Sequence, residues 1–98
     1  MDLGRKLEKE YESYLKYQLA HRKQIANGEA EFIFKLFIVE NNINKIYQSC
    51  KLSIFFEDQL DGPSVEKSLL ELSKAIKEYR DTILVYILSK EKKDQEHV

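Results

Sequence analysis

AEFIFKLFIVENNINKIYQSCKLSIFF, residues 30–56, holds all five phenylalanines of the 98-residue chain, its single cysteine and its densest apolar runs. Written as a helix, Phe32, Leu36, Val39, Ile43, Ile46 and Cys50 recur in alternating steps of four and three. At 3.6 residues per turn that spacing makes one continuous stripe, widened by Tyr47 and Ile54. A second apolar set (Ile33, Phe34, Phe37 and Ile38, then Leu52, Phe55 and Phe56) points away from the stripe. Between those groups the second side carries Asn41, Asn44, Lys45, Gln48 and Lys51. A helix apolar on two sides at both ends is a central one, packed by two neighbours.

The rival reading is β. FIFKLFIV has high strand propensity, Asn41-Asn42 can begin a turn, and Leu52 to Phe56 can form a second short strand, which gives an α+β fold with a hairpin at about 31–56. The helical stripe runs unbroken across Asn41-Asn42, and no Gly or Pro lies between Glu29 and Gly62. The helix is preferred.

Working outward, residues 1–28 place Leu3, Leu7, Tyr11, Tyr14, Leu15, Leu19, Ile25 and Ala26 on one arc behind Asp2 as N-cap. Asn27-Gly28 supplies the stop, as residues able to take φ > 0, so a first helix is expected over 2–27. A connection this short makes the central helix, expected over 30–57, an antiparallel neighbour. Asp58-Gln59-Leu60-Asp61-Gly62-Pro63 ends it, and Ser64 is the expected cap of a third helix over 64–91. That helix has the cleanest pattern: Val65, Leu69, Leu72, Ile76, Tyr79, Ile83 and Tyr86 in strict four-three alternation. The tail from about 91 to 98 has no apolar anchor and is expected to be flexible. The expected fold is all-α, an elongated antiparallel three-helix bundle in a single domain over 1–98.

Composition narrows the function classes. At 43% hydrophobic and 34% charged the chain is neither disordered nor membrane-spanning. No apolar stretch follows a basic start, so no signal peptide is read, and the lone cysteine fits a reducing, cytoplasmic setting. Cys50, on the stripe, is expected to be a buried structural thiol. Net charge is −1 and both signs are mixed along every segment, whereas phosphate binding needs a basic face. Nucleic acid is disfavoured as a partner. The alternative it would support is a dimeric regulator using Arg5, Lys6, Lys9, Arg22 and Lys23.

Catalytic chemistry finds no purchase. His21 and His97 are the only histidines, and neither has a second ligand one turn away. There is no nucleophile elbow, P-loop or dinucleotide fingerprint. LAHRKQIA at 19–26 resembles the basic segment in the first helix of all-helical chorismate mutases, with Arg5 and Arg22 set against that family's two arginines. The resemblance ends at Ile33, where a lysine is wanted, and no Arg-Glu pair or late glutamine follows. The cationic cluster that such a site needs is incomplete, so no enzyme, cofactor, metal or small-molecule substrate is expected.

The tyrosines fall on or beside the stripes, where rings are buried and hydroxyls stay wet. Tyr17 lies off the stripe and is a candidate for a recognition surface. The larger surplus is apolar: Phe34, Phe37, Ile38, Phe55 and Phe56 on the central helix, and Leu70, Leu84, Val85 and Leu88 on the third. Three helices need one seam each. Phe34, Phe37, Phe55, Leu84 and Leu88 are therefore expected to form a protein-contact surface over one end of the bundle. The expected function is that of a small helical interaction module, of inhibitor, adaptor, chaperone or immunity type, binding another protein or itself as a homodimer.

Overall fold

The computed structural model describes residues 3–56 and 62–96. It holds four helices: α1 (Leu3–Ala20), α2 (Arg22–Ala26), α3 (Ala30–Phe55) and α4 (Gly62–Glu96). The described chain is 94% helical and contains no strand, which rules out the hairpin at 31–56. The molecule measures 61 × 22 × 18 Å. Helices α1 and α3 run antiparallel, as do α3 and α4, giving the elongated bundle that the heptads imply. Among the described residues no helix is long and apolar enough to cross a membrane.

The core is a seam between α3 and α4. Phe32, Leu36, Val39, Ile43, Tyr47 and Cys50 are buried on α3, and they meet Leu72, Ala75, Ile76, Tyr79 and Ile83 of α4. Both stripes are those of the four-three spacing, with Tyr47 taking a buried place and Ile46 packed beside it. Contributions of about 1.5–3 kcal/mol for each large apolar side chain make this seam the main source of stability. The α1 helix adds only Leu7 and Tyr14 as fully buried residues.

The first helix departs from its expected form. Leu15 is 44% exposed and Leu19 69%, so the arc read as a core face is half solvent-facing. The helix also breaks at His21, whose φ of −110° and ψ of 22° leave the helical region. Backbone bonds bridge the break, from His21 N to Tyr17 O at 3.1 Å and from Ile25 N to His21 O at 3.0 Å. The bend turns α2 onto α4 and brings Ile25 against the core, while Leu19 and Ala26 stay outside.

The connection to α3 uses no left-handed residue: among the described residues no glycine or other residue has positive φ. Gly28 is needed for space instead. A Cβ there would overlap the Phe32 ring, which is itself stacked on Tyr86 at 3.9 Å. Glu29 precedes α3 in extended conformation and ties the loop to α4 by accepting from Lys90 Nζ at 2.9 Å.

At its other end α4 starts earlier than Ser64, at Gly62. Pro63 falls in the first turn, where its missing N–H has no partner to lose. The helix continues past 91 to Glu96, with Lys93 Nζ 3.7 Å from Glu29 in its last turns. Expected caps and loop residues at Asp2 and 58–61 lie outside the described residues.

Leu72 is 0% and Ile76 1% exposed, whereas Lys74 and Lys77 face solvent on the same turns. Leu72→Ala and Ile76→Ala are each expected to cost about 2–5 kcal/mol in denaturant unfolding. Lys74→Ala and Lys77→Ala should stay within about 0.5 kcal/mol of the parent. Equal losses at all four positions would contradict this seam.

Candidate functional site

Part-buried polar groups gather where α1 lies along the α3–α4 pair, and tyrosines do most of the docking. Tyr11 stacks on Tyr47 with centroids 3.9 Å apart, and Tyr14 meets Tyr79 edge-on at 5.0 Å. Tyr17 packs edge-on to Tyr79 at 6.5 Å, beneath Arg80 and beside His21. Hydrogen bonds set the register: Tyr47 OH donates to Glu8 at 2.9 Å, and Gln18 Nε2 to Glu40 at 3.3 Å. Arg80 Nη2 donates to Ser13 Oγ. Tyr17 is thus an internal packing residue and not the exposed recognition residue that its off-stripe position suggests.

Burial governs the chemistry of this centre. It pushes the Tyr79 and Tyr14 hydroxyls well above the ordinary tyrosine value, with the Glu40 carboxylate adding to the effect. Tyr17 and Tyr47 are raised for the same first reason, Tyr17 against the opposing pull of Arg80. The Cys50 thiol is fully buried and raised by burial, which suits an inert structural thiol. Tyr17 OH, Tyr79 OH, His21 Nδ1 and Arg80 Nε are enclosed without a well-formed hydrogen bond. Among the described residues no three His, Cys, Asp or Glu side chains gather as metal ligands. His97 lies outside the described residues.

The sequence-predicted contact residues are all on the surface: Phe34, Phe37, Phe55, Leu84 and Leu88 are between 48% and 79% exposed. They do not form one patch. Phe34 and Phe37 share an end of the bundle with Leu84 and Leu88, the end where Phe32 meets Tyr86. Phe55 is 21 residues further along α3, about 31 Å away at 1.5 Å per residue. Phe34 and Leu88 also sit half a turn from the seam on their own helices, so they face outward in different directions.

A different grouping emerges on α3 alone. Phe34, Phe37, Ile38, Leu52, Phe55 and Phe56 are all exposed on the side opposite the seam. Asn41, Lys45 and Gln48 fill the interval between them, and Lys45 is the one charge on that line from Phe34 to Phe56. Four of the five phenylalanines therefore face solvent on this helix and its C-cap residue, Phe56, with Phe32 alone inside. Ile38, Leu52 and Phe56 complete the face; the signal for them was the recurrence of one spacing at two places on the helix.

The remaining surface offers less. A groove of ≈ 610 Å³ between α3 and α4, on the side away from α1, is lined by Phe32, Val85 and Tyr86 among Lys35, Lys74, Lys77, Glu31, Glu78 and Asp81. Its charges alternate in sign and would favour neither an anion nor a cation. Arg5, Lys6, Lys9, Arg22 and Lys23 are exposed, but the break at His21 separates the first three from the last two, and Glu12 and its partner Lys16 lie between. No family model, curated protein or solved structure matches this chain.

The buried tyrosines imply a pH dependence whose sign follows from their raised values. Below about pH 10 folded and unfolded chains both keep the tyrosine protons, and the stability from burial is fully present. Above it the unfolded chain ionises first, so the folded state loses stability. The unfolding midpoint in denaturant should be flat from about pH 7 to 8, dip slightly above about pH 8.5 as the Cys50 thiol ionises first in the unfolded chain, and fall steadily above about pH 10. A midpoint unchanged to about pH 11 would contradict the docking of α1 through buried tyrosines.

Proposed function

We propose that this chain acts by stoichiometric protein–protein contact through the outer face of α3, as a binding module of inhibitor, adaptor, chaperone or immunity type that also associates with itself. The observation that carries the reading is the composition of that face. In a chain that is 34% charged, it shows four phenylalanines, an isoleucine and a leucine around a single lysine. Aromatic enrichment with loss of charge is the signature of an interface core. Leaving each such side chain in water costs about 1.5–3 kcal/mol relative to burial, and patches of this kind on soluble proteins are normally covered. The buried single thiol of Cys50 suits a reducing, cytoplasmic setting for that work.

Sedimentation of the wild type and of a Phe34→Ser, Phe37→Ser double variant tests the reading. The wild type should run heavier than one 11.6 kDa chain, alone or with a stoichiometric protein partner. The double variant should run as a monomer with an unchanged helical signal. A wild type that stays monomeric at all concentrations and binds no protein partner would contradict the reading. So would unfolding of the double variant, because it would make these residues core.

A further inference from the structure

The outer face of α3 carries one motif twice. Phe34, Phe37 and Ile38 stand at i, i+3 and i+4, and Leu52, Phe55 and Phe56 repeat that spacing. Eighteen residues separate the triads, about five full turns at 3.6 residues per turn, so they lie in line on one face about 27 Å apart. The interval is polar and centred on Lys45.

We propose that this face pairs with the same face of a second copy of the chain, the two α3 helices running antiparallel about a two-fold axis at residue 45. The proposal rests on the contact reading above and names its partner. A two-fold interface uses one patch on both subunits and must be self-complementary. About that axis Phe34 comes level with the second copy's Phe56, Ile38 with its Leu52, and Asn41 with its Ser49 beside Gln48. Apolar triad meets apolar triad, and the amides meet in the middle, where buried polar groups fix register.

Charge and area favour this arrangement over its rivals. A parallel pairing sets Glu31, Lys35, Lys45 and Lys51 each level with its own copy, like charge on like. The antiparallel pairing avoids those like-charge levels, carries Glu31 toward the end where Arg5, Lys9 and Lys51 stand with Glu8 and Glu12 around Phe55, and opposes the two helix dipoles. Only Lys45 then meets its own copy, and its four-carbon stem lets the ammonium reach water. The six triad side chains are 44–79% exposed. With about 150–250 Å² on each aromatic, they offer several hundred Å² per copy, much of the roughly 800 Å² per partner in a standard interface.

Cysteine cross-linking in dilute oxidant, read beside sedimentation, tests the geometry; the native Cys50 is 0% exposed and serves as an unreactive background. Lys45→Cys should cross-link to its own copy. Ile38→Cys and Leu52→Cys should each fail to do so alone and cross-link when mixed. Lys45→Gln, which removes the like charge at the axis, should lower the dimer dissociation constant about threefold or more, while Phe34→Ser with Phe37→Ser should raise it at least about 100-fold. Self-linking of Ile38→Cys would overturn the antiparallel pairing. A monomeric wild type that forms a complex only with a different protein, or binds only lipid vesicles, would overturn the second copy as occupant; the first of these leaves the contact reading standing.

Discussion

Burial of one apolar stripe of α3 against one of α4 is the constraint on which the rest of the molecule depends. Leu36, Ile43 and Cys50 on one side and Leu72, Ile76, Tyr79 and Ile83 on the other are essentially without solvent contact. Both stripes follow the four-three spacing that keeps two helices in register over many turns. The pair runs far enough to set the 61 Å length of the bundle. The α1 helix is then laid along the pair, where Tyr11, Tyr14 and Tyr17 reach Tyr47 and Tyr79 and polar bonds at Glu8, Gln18 and Ser13 hold the register.

The same constraint leaves α3 half dressed. A helix with two neighbours buries the arc that faces them and presents the opposite arc to water. On α1 and α4 that outward arc is mixed with charge in the ordinary way. On α3 it repeats an aromatic and aliphatic triad after five turns, with Lys45 as its one charge between Phe34 and Phe56. A single helix therefore supplies both the centre of the fold and the surface best suited to contact. Substitutions on its two faces should have separable consequences, one set on stability and the other on association.

Much of the fold was legible because burial imposes a period. The stripe from Phe32 to Cys50 and that from Val65 to Tyr86 could be read residue by residue, and the helical state of 30–55 followed from their continuity. The first helix was harder, because Leu15 and Leu19 are apolar without being core, and a wheel cannot tell which border residues a neighbour will reach. The break at His21 has no proline or glycine to announce it. It arises from the packing of Ile25 and α2 on α4, which is a tertiary effect. Gly28 was read as a left-handed stop, yet its absent side chain makes room for Phe32, a contact that no local pattern reveals. The candidate surface was legible as a surplus of apolar residues, but grouping Phe55 with Leu84 and Leu88 overlooked that the antiparallel hairpin, itself expected from the sequence, carries them to opposite ends.

Native-state amide hydrogen exchange tests most directly whether the α3–α4 seam carries the fold and α1 is added to it. Amides from Leu36 to Tyr47 and from Leu72 to Ile83 should exchange only through global unfolding, at one common free energy. Those from Leu7 to Tyr17 should exchange through a smaller opening, at a free energy clearly below the global value, because α1 buries less apolar surface. Protection of α1 equal to that of α3 and α4, or α3 amides opening before those of α1, would contradict the account.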